Sequence, residues 1–149
     1  MALIVKTGKI EQLKNIQKIV RLARFTFVRQ NEAQGNGDAV RRALHLVGRE
    51  PVAVTWGDDI VLSDPPLFKI LLSFFNELRA PIMSVKKVKS SEVSRYGAVA
   101  VEKTKYPKVY RITDIIEKPK PEEAPSNLVS VGQFILTPEV YPHLNTLYP

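Results

Sequence analysis

With 149 residues the chain is long enough for one hydrophobic core, and its 44% hydrophobic, 25% charged and 8% aromatic make-up argues against disorder. It holds no cysteine, which excludes disulfide frameworks, thiolate zinc sites and cysteine nucleophiles, and its two histidines, His45 and His143, are too far apart in sequence to suggest a His-rich metal site. A formal charge of +7 invites a nucleic-acid reading, yet residues 1–50 carry +6 of it and residues 51–149 only +1, so the excess is an N-terminal feature.

The chain opens with MALIVKTGKIEQLK, whose short apolar run has no small-residue cleavage site after it, so no signal peptide is predicted. Over residues 9–24, Ile10, Leu13, Ile16, Val20 and Ala23 recur at helical spacing, with Lys14, Lys18 and Arg21 on the other face. The run FTFVR, residues 25–29, is aromatic and β-branched and predicts a strand. Gly35-Asn36-Gly37 predicts a turn and Asp38 the N-cap of a second helix. That helix has an apolar face of Ala39, Val40, Ala43, Leu44 and Val47 and ends at Gly48, with Arg41 and Arg42 expected on a solvated face. PVAVTW, residues 51–56, predicts a buried strand that runs into Gly57-Asp58-Asp59.

Pro65-Pro66 is placed to open a third helix, striped by Leu67, Ile70, Leu71, Phe74, Phe75 and Leu78. The apolar stretch around it, IVLSDPPLFKILLSFF, is broken by Asp, Pro and Lys well short of the roughly 18 residues of a membrane span. Strands are predicted over 82–88, 98–101, 109–116 and 129–136. Helices alternating with buried-type strands imply an α/β class with a largely parallel sheet, whose ligands bind beyond the carboxyl ends of the strands. Two such loops, residues 30–38 and 57–59, carry chemistry-grade side chains.

Three segments merit a chemical reading. In QNEAQGNGDA the Gln30 carboxamide can both donate to and accept from a nucleobase edge, and the glycines allow close backbone approach. The same residues equally suit a polar strand-to-helix turn, and the G-x-G-x-x-G spacing is not met. In WGDD a carboxylate at a strand end suits Mg²⁺, which takes one or two carboxylates plus phosphate oxygens; two solvated turn acids fit as well. In EKPKPEE, Lys118 suits a phosphate and Glu117 a sugar hydroxyl, but a proline-stiffened charged loop has this composition too.

Taken together and in order, these segments resemble the bacterial UTP–glucose-1-phosphate uridylyltransferases, from about Lys9 to the end. The most specific part is VSRYG followed by DIIEKPKPEEAPSNLVSVGQFILTPEVY; VRQNEAQGNGDAV and VAVTWGDDIV match the nucleotide and metal segments in order and spacing. The resemblance implies a Rossmann-like nucleotidyltransferase sheet of mixed, largely parallel strands flanked by helices. Residues 1–89 would form a nucleotide- and metal-binding half, and residues 90–149 a sugar-phosphate half. It further implies a Mg²⁺-dependent, in-line attack of glucose 1-phosphate on the α-phosphorus of UTP, giving UDP-glucose and pyrophosphate in the cytoplasm.

By the same resemblance Gln30 and Gly35 hold uracil, and Asp58 binds the metal with Asp59 beside it. Gly97 and Glu117 hold the glucose hydroxyls, Lys118 the sugar phosphate, and Asn127 and Gly132 line the sugar pocket. Neither nucleic acid nor membrane is implied as a partner, and homo-oligomerisation is left open. Three departures stand out. The family's Gly-rich triphosphate loop and its second metal aspartate have no counterpart here, and Asp38 stands where close relatives usually carry histidine. The chain is therefore expected to be an internal fragment, inactive alone. The alternatives are a thymidylyltransferase or another sugar-1-phosphate nucleotidyltransferase, and a non-catalytic module whose basic helix contacts nucleic acid or an acidic partner.

Overall fold

A computed structural model describes residues 10–146, which divide into two compact units at the Ala33–Gln34 junction; each is taken by itself. In the first, helix α1 (Ile10–Leu22) carries Glu11 in its first turn and Arg21 in its last, matching the sign of the helix dipole at each end. None of its residues is buried. Residues 25–29 do not form the expected strand: Phe27 is 93% exposed and no described strand pairs with the segment. β-propensity measures fit to a pleated, partnered surface, and without a ladder it does not produce a strand.

The second unit begins with α2 (Gly35–Val47), which starts where a turn was expected. Asp38 is consequently not the N-cap; it lies inside the first turns, buried, where its two oxygens accept hydrogen bonds from Arg41 (2.6 Å) and Arg42 (2.8 Å). Those arginines are not a solvated face: their side chains are 29% exposed and folded onto the carboxylate. Gly48 ends the helix at φ +62°, its N–H bonded to Leu44 O.

Strand β1 (Val52–Thr55) alternates half-buried and exposed positions, so it has two faces where a wholly buried strand was expected. Helix α3 (Leu67–Leu78) is capped by Pro66, whose carbonyl accepts from the N–H groups of Lys69 and Ile70. Leu71 and Phe75 of its stripe are buried against Ile135, with Leu67, Phe68 and Ile82 packed around them. Arg79 adopts a left-handed conformation (φ 51°) and stops the helix.

Strand β2 (Ile82–Lys87) is followed by a short 3₁₀ segment, Ser90–Arg95, and by the hairpin of β3 (Gly97–Lys103) and β4 (Tyr110–Glu117). A second core forms where Val93 packs on Ala98 and Val129, with Val88, Tyr96 and Ala124 at its rim. Strand β5 (Leu128–Leu136) leads through a 3₁₀ turn into α4 (Tyr141–Thr146). The Tyr141 hydroxyl donates to Glu50 O and ties α4 to the segment two residues before β1.

The α/β class stands, but the expected largely parallel pairing does not: every ladder among the described residues is antiparallel. The reason lies in β5. It pairs with β2 along one edge and, along the other, with β1 at its C-terminal half and β3 at its N-terminal end. The β1–α3–β2 crossover does leave β1 and β2 pointing the same way, as helix–strand alternation suggests. A late strand of opposite direction lies between them, and no periodicity in β1 or β2 announces it.

Candidate functional site

Side chains alternate across a strand, so Ser130, Gly132 and Phe134 share one face of β5, while Val129, Gln133 and Ile135 share the other. Ile135 on the second face is buried against α3. The first face is where the chemistry-bearing segments meet.

From the β1 side comes the WGDD turn. The Trp56 N–H donates to Gly132 O at 2.8 Å, continuing the β1–β5 ladder, and the Trp56 ring lies 5.5 Å from that of Phe134. Asp59 is turned inward: its Oδ2 accepts from the Gly132 N–H at 2.8 Å, and its carbonyl from Gln133 Nε2 at 3.5 Å. Gly132 is buried, and a Cβ there would overlap the Trp56 ring and lie 2.5 Å from Asp59 Oδ2. Absence of a side chain lets the turn seat on the strand. Asp58, one residue earlier, is exposed, and its carboxylate has no hydrogen bond to any described residue.

From the other side comes the β3–β4 hairpin. Its register sets Glu117, the last residue of β4, opposite Gly97, the first of β3. A Cβ at Gly97 would stand 3.0 Å from Glu117 Oε2 and 3.2 Å from Ser130 Oγ, so these two polar atoms border one small recess. Lys118 follows in a left-handed backbone conformation (φ 47°), its N–H donating to Tyr96 O at 3.0 Å. A non-glycine residue at such a φ stores roughly 1–3 kcal/mol of strain, which the surrounding contacts must hold, and such residues cluster where a side chain has to be aimed. Tyr96 is itself braced by Lys86, whose Nζ sits 4.5 Å from the ring centre.

The fold brings Gly97 and Glu117 to Ser130 of β5 and docks the turn of Asp58 and Asp59 at Gly132, two residues along the same strand, with Lys118 next to Glu117 in sequence. Asn127, just before β5, accepts a hydrogen bond from the Ser90 hydroxyl at 3.2 Å, and its carbonyl one from the Val88 N–H. Gly35 is the first residue of α2 at φ +86°. Gln30 lies in the other unit, half-buried, just before a bend. Sequence reasoning missed Ser130, for which strand alternation was the available signal, and the structural duty of Asp59, for which there was none.

Among the described residues no three of His, Cys, Asp and Glu cluster to form a metal cage, and no helix is long and apolar enough to cross a membrane. The sequence pattern of the nucleotidyl transferase family matches residues 4–148. The chain is 37% identical over 140 residues to the UTP–glucose-1-phosphate uridylyltransferase YngB of Bacillus subtilis, covering 94% of this chain and 47% of that one. To a UTP–glucose-1-phosphate uridylyltransferase of Staphylococcus epidermidis it is 39% identical over 139 residues, 93% of this chain and 48% of the other. A crystal structure of a UDP-glucose pyrophosphorylase complexed with UDP-glucose superimposes with a TM-score of 0.84 at 36% identity, over 93% of this chain and 53% of that chain. The chain thus spans about half the length of the relatives it matches.

Proposed function

The chain belongs to the nucleotidyl transferase family, and from that premise we propose that it supplies the uridylyl- and sugar-phosphate-binding part of an enzyme making UDP-glucose and pyrophosphate from UTP and glucose 1-phosphate. One observation carries the reading: Glu117, through the recess at Gly97, meets β5 at Ser130, and Asp59 of the WGDD turn meets it at Gly132, two residues along, with Lys118 next to Glu117 in sequence. A site that joins a sugar phosphate to a nucleotide must hold two anions side by side, and this face offers a cation and a carboxylate for one and an acidic turn for the other.

In this reading Glu117 accepts hydrogen bonds from glucose hydroxyls in the recess left by Gly97. Lys118, adjacent in sequence and fixed by its backbone, neutralises the attacking phosphate. By the resemblance of their segment, Gln30 and Gly35 are each assigned to uracil recognition, for which a carboxamide can donate to and accept from a base edge. Asn127 and Gly132 line the pocket, Asn127 Oδ1 accepting from the Ser90 hydroxyl and the Gly132 N–H donating to Asp59.

The donor set also fits Mg²⁺. Asp58 presents an exposed carboxylate with no competing hydrogen bond among the described residues, whereas Asp59 is committed to Gly132, so one carboxylate plus phosphate oxygens is the coordination on offer. Bound there, the ion supplies charge neutralisation of the α-phosphoryl group and the departing pyrophosphate. The rest is positioning: in phosphoryl-type transfers, holding the attacking oxygen in line and offsetting repulsion account for most of the rate, and no cysteine or histidine nucleophile is needed. A nucleoside triphosphate is a cytoplasmic substrate, so that is the compartment proposed.

Titration of the 149-residue chain with UDP-glucose and with UDP separates the two subsites. Saturable UDP-glucose binding that falls at least tenfold in Lys118→Ala is expected. Absent binding, or affinity indifferent to Lys118, would overturn the assignment. Placed in a full-length enzyme, Asp58→Asn and Lys118→Ala should each lower pyrophosphate release about tenfold to a thousandfold.

A further inference from the structure

Resting on that reading of the site, we infer that Ser130 is a specificity-determining residue, whose hydroxyl reads the sugar hydroxyl next to the one held by Glu117. Nothing in the sequence pattern marks Ser130, whose place in β5 alone would make it ordinary strand filling.

Three observations carry the inference. First, the three atoms nearest to where a Cβ on Gly97 would be are all side-chain atoms that border the recess: Glu117 Oε2 at 3.0 Å, Ser130 Oγ at 3.2 Å and Ile115 Cγ2 at 3.4 Å. It has two polar corners and one apolar wall. Second, neither polar corner is used by the fold. Neither the Ser130 hydroxyl nor the Glu117 carboxylate has a hydrogen bond to any described residue, although other serines of the unit are committed: Ser84 to Gln133 O at 3.0 Å and Ser126 to Val99 O at 2.6 Å. Third, the corners differ in chemistry. An ionised carboxylate only accepts, whereas a hydroxyl donates and accepts. A vicinal diol offers two adjacent oxygens whose protons can be directed independently. Glu117 accepts a hydrogen bond from one of them, and Ser130 Oγ completes the pair by donating to, or accepting from, its neighbour. Because the two corners flank a single gap, inverting one carbon of the diol moves its hydroxyl away from one corner and leaves that group unpaired.

Calorimetric titration of the 149-residue chain with UDP-glucose and with its 4-epimer, UDP-galactose, tests this. Ser130→Ala should weaken UDP-glucose binding about three- to tenfold, the value of one hydrogen bond, and bring the two affinities closer together. Ser130→Cys keeps the volume but gives up most hydrogen bonding, so it should show the same loss. UDP binding should be unchanged in both variants. If the unsubstituted chain binds UDP-glucose but both variants retain its affinity and epimer ratio, the role of Ser130 is overturned while the site assignment survives. If the unsubstituted chain does not bind UDP-glucose, the site assignment itself fails and Ser130 falls with it.

Discussion

Replacing Gly132 by alanine probes the joint between the acidic turn and the central strand. The added methyl would overlap the Trp56 ring and stand 2.5 Å from Asp59 Oδ2. Since Gly132 is buried, something must move: the ring, the turn or β5. Overpacking of this kind destabilises by about 1–3 kcal/mol. Pushing Asp59 away also removes its hydrogen bond from the Gly132 N–H, now 2.8 Å, and bonds to charged groups contribute about 1.5–3 kcal/mol. The two losses share one displacement, so the total should be about 2–4 kcal/mol and not their full sum. For a unit of this size that lowers Tm by about 10 °C.

Circular dichroism measures the melting, and the single tryptophan, Trp56, reports the turn directly by fluorescence. Gly57→Ala is the control, because a Cβ at Gly57 meets nothing within 4 Å; it should stay within about 0.5 kcal/mol of the parent. Combining Gly132→Ala with Asp59→Ala should be clearly less destabilising than the sum of the single changes, since both break the same contact. An unchanged Tm and emission spectrum in Gly132→Ala, or strict additivity in the double variant, would refute the reasoning.

Asp38→Asn should lower the denaturant midpoint by the equivalent of about 1.5–3 kcal/mol, because the buried carboxylate accepts from two arginines; an unchanged midpoint would mean that solvent replaces those bonds at no loss. Tyr141→Phe should destabilise by about 1 kcal/mol through loss of the bond to Glu50 O, read by chemical denaturation. Burial, with Glu50 and Glu139 nearby, raises the Tyr141 phenol above its ordinary value of 10.0. Its neutral form is therefore favoured in the folded state. That contribution is complete below pH 10 and declines as pH rises through the folded pKa, so the parent should lose stability in this range and Tyr141→Phe should lose less.

The local elements were largely legible. Apolar spacing placed α3 to within a residue of its start, because Leu71 and Phe75 do face the core. The turn chemistry of Gly48 ended α2 as expected. Partnership was not legible. Phe25 and Phe27 have strand propensity without a ladder, and the direction of β5 cannot be read from alternation, which is the same for parallel and antiparallel neighbours. The candidate site shows the same division. Asp58 and Asp59 are equivalent as letters, and only the position of the Gly132 N–H distinguishes the free carboxylate from the bracket. Asp38 follows Gly37 as an N-cap would, but two arginines within about one turn hold it inside the helix as a buried counter-ion.

The place of β5 in the sheet also has a consequence for how the molecule is made. Val52 of β1 pairs with Leu136, a residue 84 positions later, and at about 5–20 residues per second a ribosome needs roughly 4–17 s to add that interval. Until β5 is made, β1 and the later β2 have no strand between them, and the stripe of α3 has no Ile135 to cover. The nascent chain thus carries unpaired edges and exposed apolar side chains until its central strand is synthesised, which is the interval in which chaperone occupancy or aggregation decides its fate. A chain ending before Leu128 would retain the β3–β4 hairpin and the helices, yet nothing to join β1 and β2 to it. The strand on which the candidate site is built is thus also the one that joins β1, β2 and β3 into one sheet.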